Sequence, residues 1–497
     1  MRRLVWLVLL IAVPAHAAPP EVVASAPQSS AVTVYQGDNT FQELPQVPSR
    51  LDGYALIRET RTISLPAGTA VVRFPGVAAG MLAESVVISG LPGTVVERNL
   101  DAALMSPRSF YAGWFGRPVT VRRSDAQGRE RIERAVIRSG PDGAGVIETD
   151  RGFELVSCGP LNDALRYPAP PPGLFATPTL SVETQSPAPV TATVTLTYLA
   201  WDYDWRADYT LTLSPDLRHG QLQAWLTLAS ADVTSFAHAD AAVVAGKPAF
   251  DETRADADEE EPVTFRCTAR PPPPPAVMPL PNVMMMAPPP PVMMVTAMPA
   301  KAIVAEVETV ADMKLYRLPV PTTVAARSSK QIMLIAPRTV TLQVVHSAPL
   351  DDGPAKALAR LELSAPNRRD AGLGLALPGG TLRVMVPRDG TMVPVGAATM
   401  DDRAVGERVR WTLGPDSGVQ VERRMVRQRG GTAQMVATVH NAGARPVPFE
   451  GTFRQVPQSA VRVAGKPLPL DEDHPVWRVT VPARGSATLR YSIVQPD

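Results

Sequence analysis

The stretch from Leu199 to Tyr209 combines aromatic and charged side chains more densely than any other part of the chain. Successive side chains of an extended strand point to opposite faces. One predicted face is aromatic and consists of Trp201, Tyr203, Trp205 and Tyr209. The other predicted face is charged and consists of Asp202, Asp204, Arg206 and Asp208. The pattern therefore predicts one strand with two chemically distinct faces.

The aromatic face has two interpretations. Exposed rings of Trp201, Tyr203 and Trp205 would stack on the faces of sugar rings and form a binding surface. Aromatic residues at strand spacing are more often part of a hydrophobic core. We therefore expect burial, with sugar binding as the alternative.

The charged face also has two interpretations. Alternate residues of a strand lie about 6.6–6.8 Å apart, so Asp202 and Asp204 could form the carboxylate pair of a glycoside hydrolase. Such a pair needs surroundings that separate the two pKa values. The default interpretation is a row of solvated charges paired with Arg206. We expect a protein that is not an enzyme, with hydrolysis of a carbohydrate as the alternative.

Two further groups of residues invite a chemical interpretation. Methionine thioethers are soft ligands that suit Cu(I), and seven of them lie in one proline-rich tract: Met278, Met284, Met285, Met286, Met293, Met294 and Met298. Because no His or Cys accompanies them at a defined spacing, a hydrophobic linker is favoured over a copper site. Arginines crowd a second segment: Arg117, Arg122, Arg123, Arg129, Arg131, Arg134 and Arg138. They would bind anionic polysaccharide or lipid headgroups, or form cross-strand ion pairs, which we favour.

The remaining composition excludes several classes of function. The histidines have no metal-ligand spacing, and the chain has no phosphate loop or nucleophile elbow. We therefore expect no cofactor and no metal. With 49 basic and 48 acidic residues there is no overall field for nucleic acid. Cys158 and Cys267 could form a disulfide, or remain two separate thiols.

The first residues predict export. Arg2 and Arg3 precede the apolar run Leu4–Val13, and small residues follow up to Ala17, where a signal peptidase would cut. The apolar run is about half as long as a membrane-spanning helix requires. No comparable run occurs later, so we expect no transmembrane segment after cleavage and a location in the periplasm or on the surface of a bacterium.

The rest of the chain predicts a mainly β fold. It has 53 prolines among 497 residues, about twice the average usage, which disfavours long helices. Short β-branched runs between Pro/Gly turns are typical of β-sandwiches, here two immunoglobulin-like regions with a small β insert. One short helix is expected, with Ser106 as cap and Pro107 at its first position.

The predicted domains follow one another along the chain, with a disordered acidic and Pro/Met-rich linker in the middle. They are a signal peptide (1–17), a flexible N-terminus (18–30), an N-terminal β domain (31–100), the short helix with the β insert (101–165), the first part of a β-sandwich (166–249), the linker (250–300), the rest of that sandwich (301–350) and a C-terminal β-sandwich (351–497).

Several short motifs, in their order and spacing, resemble bacterial exported proteins that carry the domain of unknown function 4139. The motifs are Leu56–Arg61 with the following Leu-Pro-Ala-Gly turn, Leu104–Pro107, Trp205–Tyr209, Tyr316–Pro319, Leu413–Pro415 and Pro475–Pro482. The resemblance implies an exported β-sandwich without established catalytic residues. Some relatives are labelled mucoidy inhibitor, which implies a link to envelope polysaccharide. The Pro/Met-rich tract and the extra sequence between Gln36 and Arg50 depart from the family pattern.

These observations predict a non-catalytic binding or structural protein of the cell envelope. Its expected partner is an envelope polysaccharide or another envelope protein. The binding residues, if the strand is exposed, are Trp201, Tyr203, Trp205, Asp202 and Asp204.

Overall fold

The computed structural model describes residues 19–494, except 38–40, 42, 102–103, 125–128, 140–144, 156–163, 172–173, 216, 247–305, 311–312, 352, 371 and 472. Within these ranges the protein is mainly β, as predicted, with many strands, several sheets and one α-helix. The predicted signal peptide, both cysteines, the methionine tract and the linker lie outside the described residues. No helix of the described part is long and apolar enough to cross a membrane.

The strands of the first half are β1 (Glu21–Val23), β2 (Ser29–Tyr35), β3 (Tyr54–Leu65), β4 (Gly68–Pro75), β5 (Val87–Ser89), β6 (Thr94–Asp101), β7 (Pro118–Ser124), β8 (Glu130–Ile137), β9 (Val146–Thr149), β10 (Gly152–Leu155), β11 (Ala164–Arg166), β12 (Thr179–Ser186), β13 (Val190–Trp201), β14 (Tyr203–Leu213), β15 (His219–Ser230) and β16 (Phe236–Ala245). The helix α1 spans Pro107–Gly113, and a 3-10 turn spans Ala83–Ser85.

The strands of the second half are β17 (Glu306–Val310), β18 (Met313–Arg317), β19 (Thr322–Val324), β20 (Ser328–Thr341), β21 (Gln343–Pro349), β22 (Ala355–Ala365), β23 (Gly380–Arg388), β24 (Thr391–Met400), β25 (Val409–Arg429), β26 (Thr432–Asn441), β27 (Val447–Thr452), β28 (Val461–Arg462), β29 (Leu470–Asp471), β30 (His474–Val481) and β31 (Gly485–Val494). A second 3-10 turn spans Gln458–Ala460.

The chain forms two compact units that alternate along the sequence, whereas the predicted domains follow one another. Within the described ranges, the first unit contains residues 19–30 and 57–200, and the second contains 31–56, 201–246 and 306–494. The prediction of a flexible N-terminus is wrong for residues 21–23, because β1 pairs in parallel with β4 and its backbone hydrogen bonds hold it there. Composition gave no sign of this edge strand.

The first unit has a β-rich core and a small separate sheet. One sheet has the order β1-β4-β12-β6, and β3, β13 and β5 are neighbours in another. Alternate side chains of β3 and β4 are buried, as expected for sheets with one face in a core. The small sheet has the order β10-β9-β8-β7-β11, and the residues buried on one of its faces pack with Tyr111 of α1.

The helix begins as the sequence predicts. The Ser106 hydroxyl accepts a hydrogen bond from the backbone N–H of Ser109 (3.0 Å), and the Ser109 hydroxyl accepts one from the N–H of Ser106 (2.8 Å). This reciprocal cap satisfies two N–H groups that the first turn leaves without helical partners. The helix ends at Gly113, before Gly116, which adopts φ +70° in the following turn.

The second unit contains three sets of paired strands: β17-β18-β16-β2, β20-β15-β14-β23-β24, and β28-β31-β26-β25-β22-β21-β27-β30-β29. The last of these encloses a core that includes Val421, Phe449, Phe453 and Tyr491. Strand β14 lies in the middle of the second set. It pairs antiparallel with β15 and parallel with β23, and it carries the candidate site.

Candidate functional site

The predicted single strand from Leu199 to Tyr209 is interrupted at Asp202. Strand β13 ends at Trp201, β14 begins at Tyr203, and Asp202 between them has φ +74°. Aspartate tolerates this left-handed conformation better than most residues, and here the backbone N–H of Leu51 donates to its Oδ1 (3.1 Å). The prediction of one continuous strand is therefore wrong, and Trp201 belongs to a different strand from Tyr203.

The aromatic side chains of β14 form part of the core. Tyr203, Trp205 and Tyr209 are fully buried, as predicted. The indole N–H of Trp205 donates to the carbonyl of Val244 (3.2 Å), and the Tyr209 hydroxyl donates to that of Pro378 (2.7 Å). Trp201 is only half-buried and makes an edge contact with Tyr54. The buried rings of β14 cannot stack on a ligand in this arrangement.

The sequence predicted a row of solvated charges on this face of β14. This expectation is wrong for Asp204, at the start of the strand. This carboxylate is 2% exposed, and its Oδ1 accepts hydrogen bonds from the Arg206 guanidinium and from the backbone N–H groups of Gly37 (3.2 Å) and Trp205 (2.7 Å). Burial raises the pKa of the Asp204 carboxyl, and Arg206 opposes this shift. The expected pairing with Arg206 is present, but as a buried ion pair.

Further along β14, the same face forms the floor of a polar groove. We define the groove as the cavity of about 380 Å³ lined by Phe41, Glu43, Leu44, Gln46, Arg206, Ala207, Asp208, Thr227, Ser329, Gln331, Thr381 and Arg383. Four neighbouring strands, β20, β15, β14 and β23, supply the floor, and the opposite wall consists of Phe41, Glu43, Leu44 and Gln46. A sheet of four paired strands is a rigid support for such a site.

The strand register explains why these side chains meet. Arg206 on β14 is paired with Thr227 on β15, and Thr227 is paired with Gln331 on β20. On the other side of β14, Asp208 is paired with Thr381 on β23. Paired residues of neighbouring strands point to the same face, so segments far apart in sequence present one polar surface.

The polar groups of the groove form a connected series of hydrogen bonds. The Gln331 amide donates to the Thr227 hydroxyl (3.3 Å), which donates to Asp208 Oδ2 (2.9 Å). The Arg383 guanidinium donates to Asp208 Oδ1 (3.4 Å) and pairs with Glu43 on the opposite wall. This series links side chains of β20, β15, β14 and β23 to Glu43 of the wall.

The groove contains two carboxylates, but neither belongs to the predicted pair. Asp208 and Glu43 line it and share Arg383, whereas Asp202 and Asp204 do not line it. Within the described ranges, no group of three or more His, Cys, Asp or Glu side chains is placed to hold a metal ion. The polar side chains that line the groove can form hydrogen bonds and ion pairs.

The sequence identified only part of this site. It pointed to β14, but it gave no sign that Thr227, Gln331 and Arg383 would lie beside this strand, because these residues belong to strands paired through long-range contacts. The wall residues Phe41, Glu43, Leu44 and Gln46 lie between Gln36 and Arg50, where the sequence offered no candidate site residue.

No protein-family model matches this chain, and a search of curated proteins finds no relative.

Proposed function

We propose that the protein is an exported, non-catalytic binding protein of the bacterial cell envelope, related to the proteins that carry the domain of unknown function 4139. Its groove over β14 binds a saccharide unit of an envelope polysaccharide. The observation that carries this proposal is the connected series of donors and acceptors on a rigid sheet face, from Gln331 through Asp208 to Glu43.

The chemistry of the groove suits a ligand rich in hydroxyl groups. Each hydroxyl both donates and accepts a hydrogen bond. Asp208 offers acceptor oxygens, Arg383 offers N–H donors, and Thr227 can serve both roles. The volume of about 380 Å³ falls within the range of small-molecule sites. At the rim, the ring of Phe41 is 42% exposed and offers an apolar surface to the C–H face of a sugar.

Binding is favoured over hydrolysis by the positions of the acidic side chains. Asp202 accepts from the backbone of Leu51, and Asp204 is held by three donors. These contacts fix local structure at the start of β14 and keep the Asp204 oxygens away from solvent. The two carboxylates that do line the groove, Glu43 and Asp208, are both bound by Arg383.

The proposal is tested by calorimetric titration with oligosaccharides released from bacterial envelope polysaccharides. We expect at least one to bind, and we expect Asp208→Ala and Arg383→Ala each to weaken binding about tenfold or more, because each removes a charged hydrogen-bonding group from the ligand. Arg388→Ala, an exposed arginine on the same strand as Arg383 but outside the groove, is the matched control. Affinity unchanged in both groove variants would refute the assignment of the site.

The alternative of hydrolysis is tested on the same oligosaccharides by measuring new reducing ends. We expect none. Turnover by the wild type that is lost in Asp202→Asn or Asp204→Asn, at an unchanged melting temperature, would establish a hydrolase and overturn the binding function.

A further inference from the structure

The small sheet β10-β9-β8-β7-β11 of the first unit has two different faces. On the inner face, Val121, Ile137 and Ile147 are fully buried and pack with Tyr111 of α1. On the outer face, the corresponding alternate residues are exposed or half-buried. The outer face therefore does not contribute to the core that this sheet forms with the helix.

Large apolar side chains lie on this outer face. Phe153 and Leu155 on β10 are 70% and 65% exposed, and Ile132 on β8 is 58% exposed. The register pairs Phe153 with Glu148 on β9, and Glu148 with Val136 on β8, so that Phe153 and Ile132 point to the same side. Phe153 and Leu155 are neighbours on this face of β10, whereas Ile132 lies two strands away. An exposed apolar patch such as the one formed by Phe153 and Leu155 is a feature of interaction surfaces.

The same face carries an excess of positive charge. Its charged side chains are Arg122, Arg134, Arg138, Arg166, Glu130 and Glu148. Four arginines against two glutamates leave two positive charges in excess. Arg122 pairs with Glu130 (3.0 Å) and Arg138 with Glu148 (2.7 Å), as the sequence predicted for cross-strand neighbours.

Two arginines of the outer face remain available to a partner. Arg134 and Arg166 are exposed, and neither makes an ion pair with any residue that the structure describes. Both flank Thr120 on β7, because Thr120 is paired with Arg134 on one side and with Arg166 on the other. Their guanidinium groups are therefore close enough to engage neighbouring anionic groups of one surface.

We propose that this outer face docks onto a membrane surface that contains anionic lipid. Phe153, Leu155 and Ile132 enter the boundary between headgroups and acyl chains, while Arg134 and Arg166 bind lipid phosphates. Interfacial binding of this kind combines buried apolar area with attraction to anionic lipids. A soluble anionic polysaccharide would use the arginines but would leave the three apolar side chains in water. The site is separate from the groove, and the proposal does not depend on saccharide binding.

The test is co-sedimentation of the full chain with vesicles of phosphatidylglycerol and phosphatidylcholine, compared with vesicles of phosphatidylcholine alone. We expect binding to the anionic vesicles that weakens as salt is added. Phe153→Ala/Leu155→Ala should weaken it about tenfold or more, and Arg134→Ala and Arg166→Ala about fivefold each. Met392→Ala/Val395→Ala removes two side chains of β24 that are 47% and 52% exposed, and this control should bind like the wild type.

Each contrary result has a defined meaning. No sedimentation of the wild type with anionic vesicles refutes the proposal. If the arginine variants lose binding while Phe153→Ala/Leu155→Ala retains it, the protein is held at the vesicle by charge alone. That result would overturn the insertion of the apolar side chains. Tighter binding to soluble polygalacturonate than to the vesicles would identify an anionic polysaccharide as the partner and would likewise overturn membrane docking. Melting temperatures confirm that each variant is folded, since all the changed side chains are exposed.

Discussion

Each unit of the protein contains a buried acid–arginine pair two residues apart on one strand, and the two pairs have different surroundings. In the first unit, Glu59 and Arg61 on β3 are both completely buried, and Glu59 Oε2 accepts from the guanidinium (2.6 and 2.9 Å). In the second unit, Asp204 and Arg206 on β14 are 2% and 8% exposed, and Arg206 borders the groove.

The partners of the two pairs show what each one does. Arg61 also donates to the carbonyl of Pro75 (2.7 Å) at the end of β4, so its interactions all lie within a core. Asp204 also accepts from the backbone of Gly37, which precedes the segment that forms the groove wall. The Glu59–Arg61 pair thus connects β3 to β4 within a core. The Asp204–Arg206 pair lies beside the groove, which faces solvent.

The largest effect is expected for Arg61→Ala. This change leaves the Glu59 carboxylate buried without its partner, and breaking a buried pair in this way costs about 3–5 kcal/mol. Urea unfolding followed by circular dichroism measures the loss. The double variant Glu59→Leu/Arg61→Met removes both charges and should recover most of it. A loss below about 1 kcal/mol in Arg61→Ala, which is the value of an exposed pair, would contradict the comparison.

Asp204→Ala should have a smaller effect, of about 2 kcal/mol. It removes the acceptor of two backbone N–H groups and one guanidinium, but Arg206 borders the groove, where water can solvate it. Asp204→Asn keeps a carbonyl acceptor and should lose less. The measurement is the same urea titration, and a cost for Asp204→Ala equal to that of Arg61→Ala would remove the distinction between the two pairs.

The free energy of unfolding should depend on pH because of the Glu59–Arg61 pair. Burial raises the pKa of the Glu59 carboxyl, against the opposing effect of Arg61. The folded-state pKa of Glu59 lies above the unfolded one, so the folded protein holds the proton more tightly. The contribution of Glu59 to stability is therefore present at low pH and is lost as the pH rises through the folded pKa. The free energy of unfolding of the wild type, relative to Glu59→Gln, should therefore be higher at pH 5 than at pH 7. An unchanged difference between these two pH values would show that the carboxyl titrates normally.

Arg383→Ala should have the smallest effect on stability. Its side chain is 47% exposed and that of its partner Glu43 is 80% exposed, and surface pairs of this kind contribute about 0–1 kcal/mol. We therefore expect a change of about a few tenths of a kcal/mol in urea unfolding, together with the weaker oligosaccharide binding described above. A destabilisation above about 2 kcal/mol would show that the groove is held together by this arginine, and not only lined by it.

The sequence predicted Asp204 and Arg206 as residues of one strand face, but it did not predict their burial, and it singled out neither Glu59 nor Arg61. Alternation in Leu56–Ile63 places Glu59 beside Arg61, just as it places Asp204 beside Arg206. Charged residues are almost never fully buried unless they are paired. The sequence pattern alone therefore predicts that these side chains are exposed to solvent. The partners that make burial tolerable, Pro75 and Gly37, come from other segments and carry no local signal.

The β-rich fold and the helix cap were predictable because both depend on local chemistry. β-branched runs between turns mark strands, and Ser106 with Pro107 marks a helix start. The corner at Asp202 was not predictable, since the positive φ depends on a hydrogen bond from Leu51. The groove was not predictable either, because its floor depends on which strands become neighbours.

The parallel pairing of β14 with β23 has a consequence for the order in which the protein folds. Residues 207–212 pair with residues 380–385, so that more than a third of the chain must be synthesised after β14 before its neighbour exists. Contacts between such distant segments form slowly, because a long loop must close before they contribute stability. Until then, β14 can pair with β15, but one of its edges remains open to other strands. A chain that stops before Gly380 should therefore lack the groove and expose this edge, which makes early termination or proteolysis a route to aggregation.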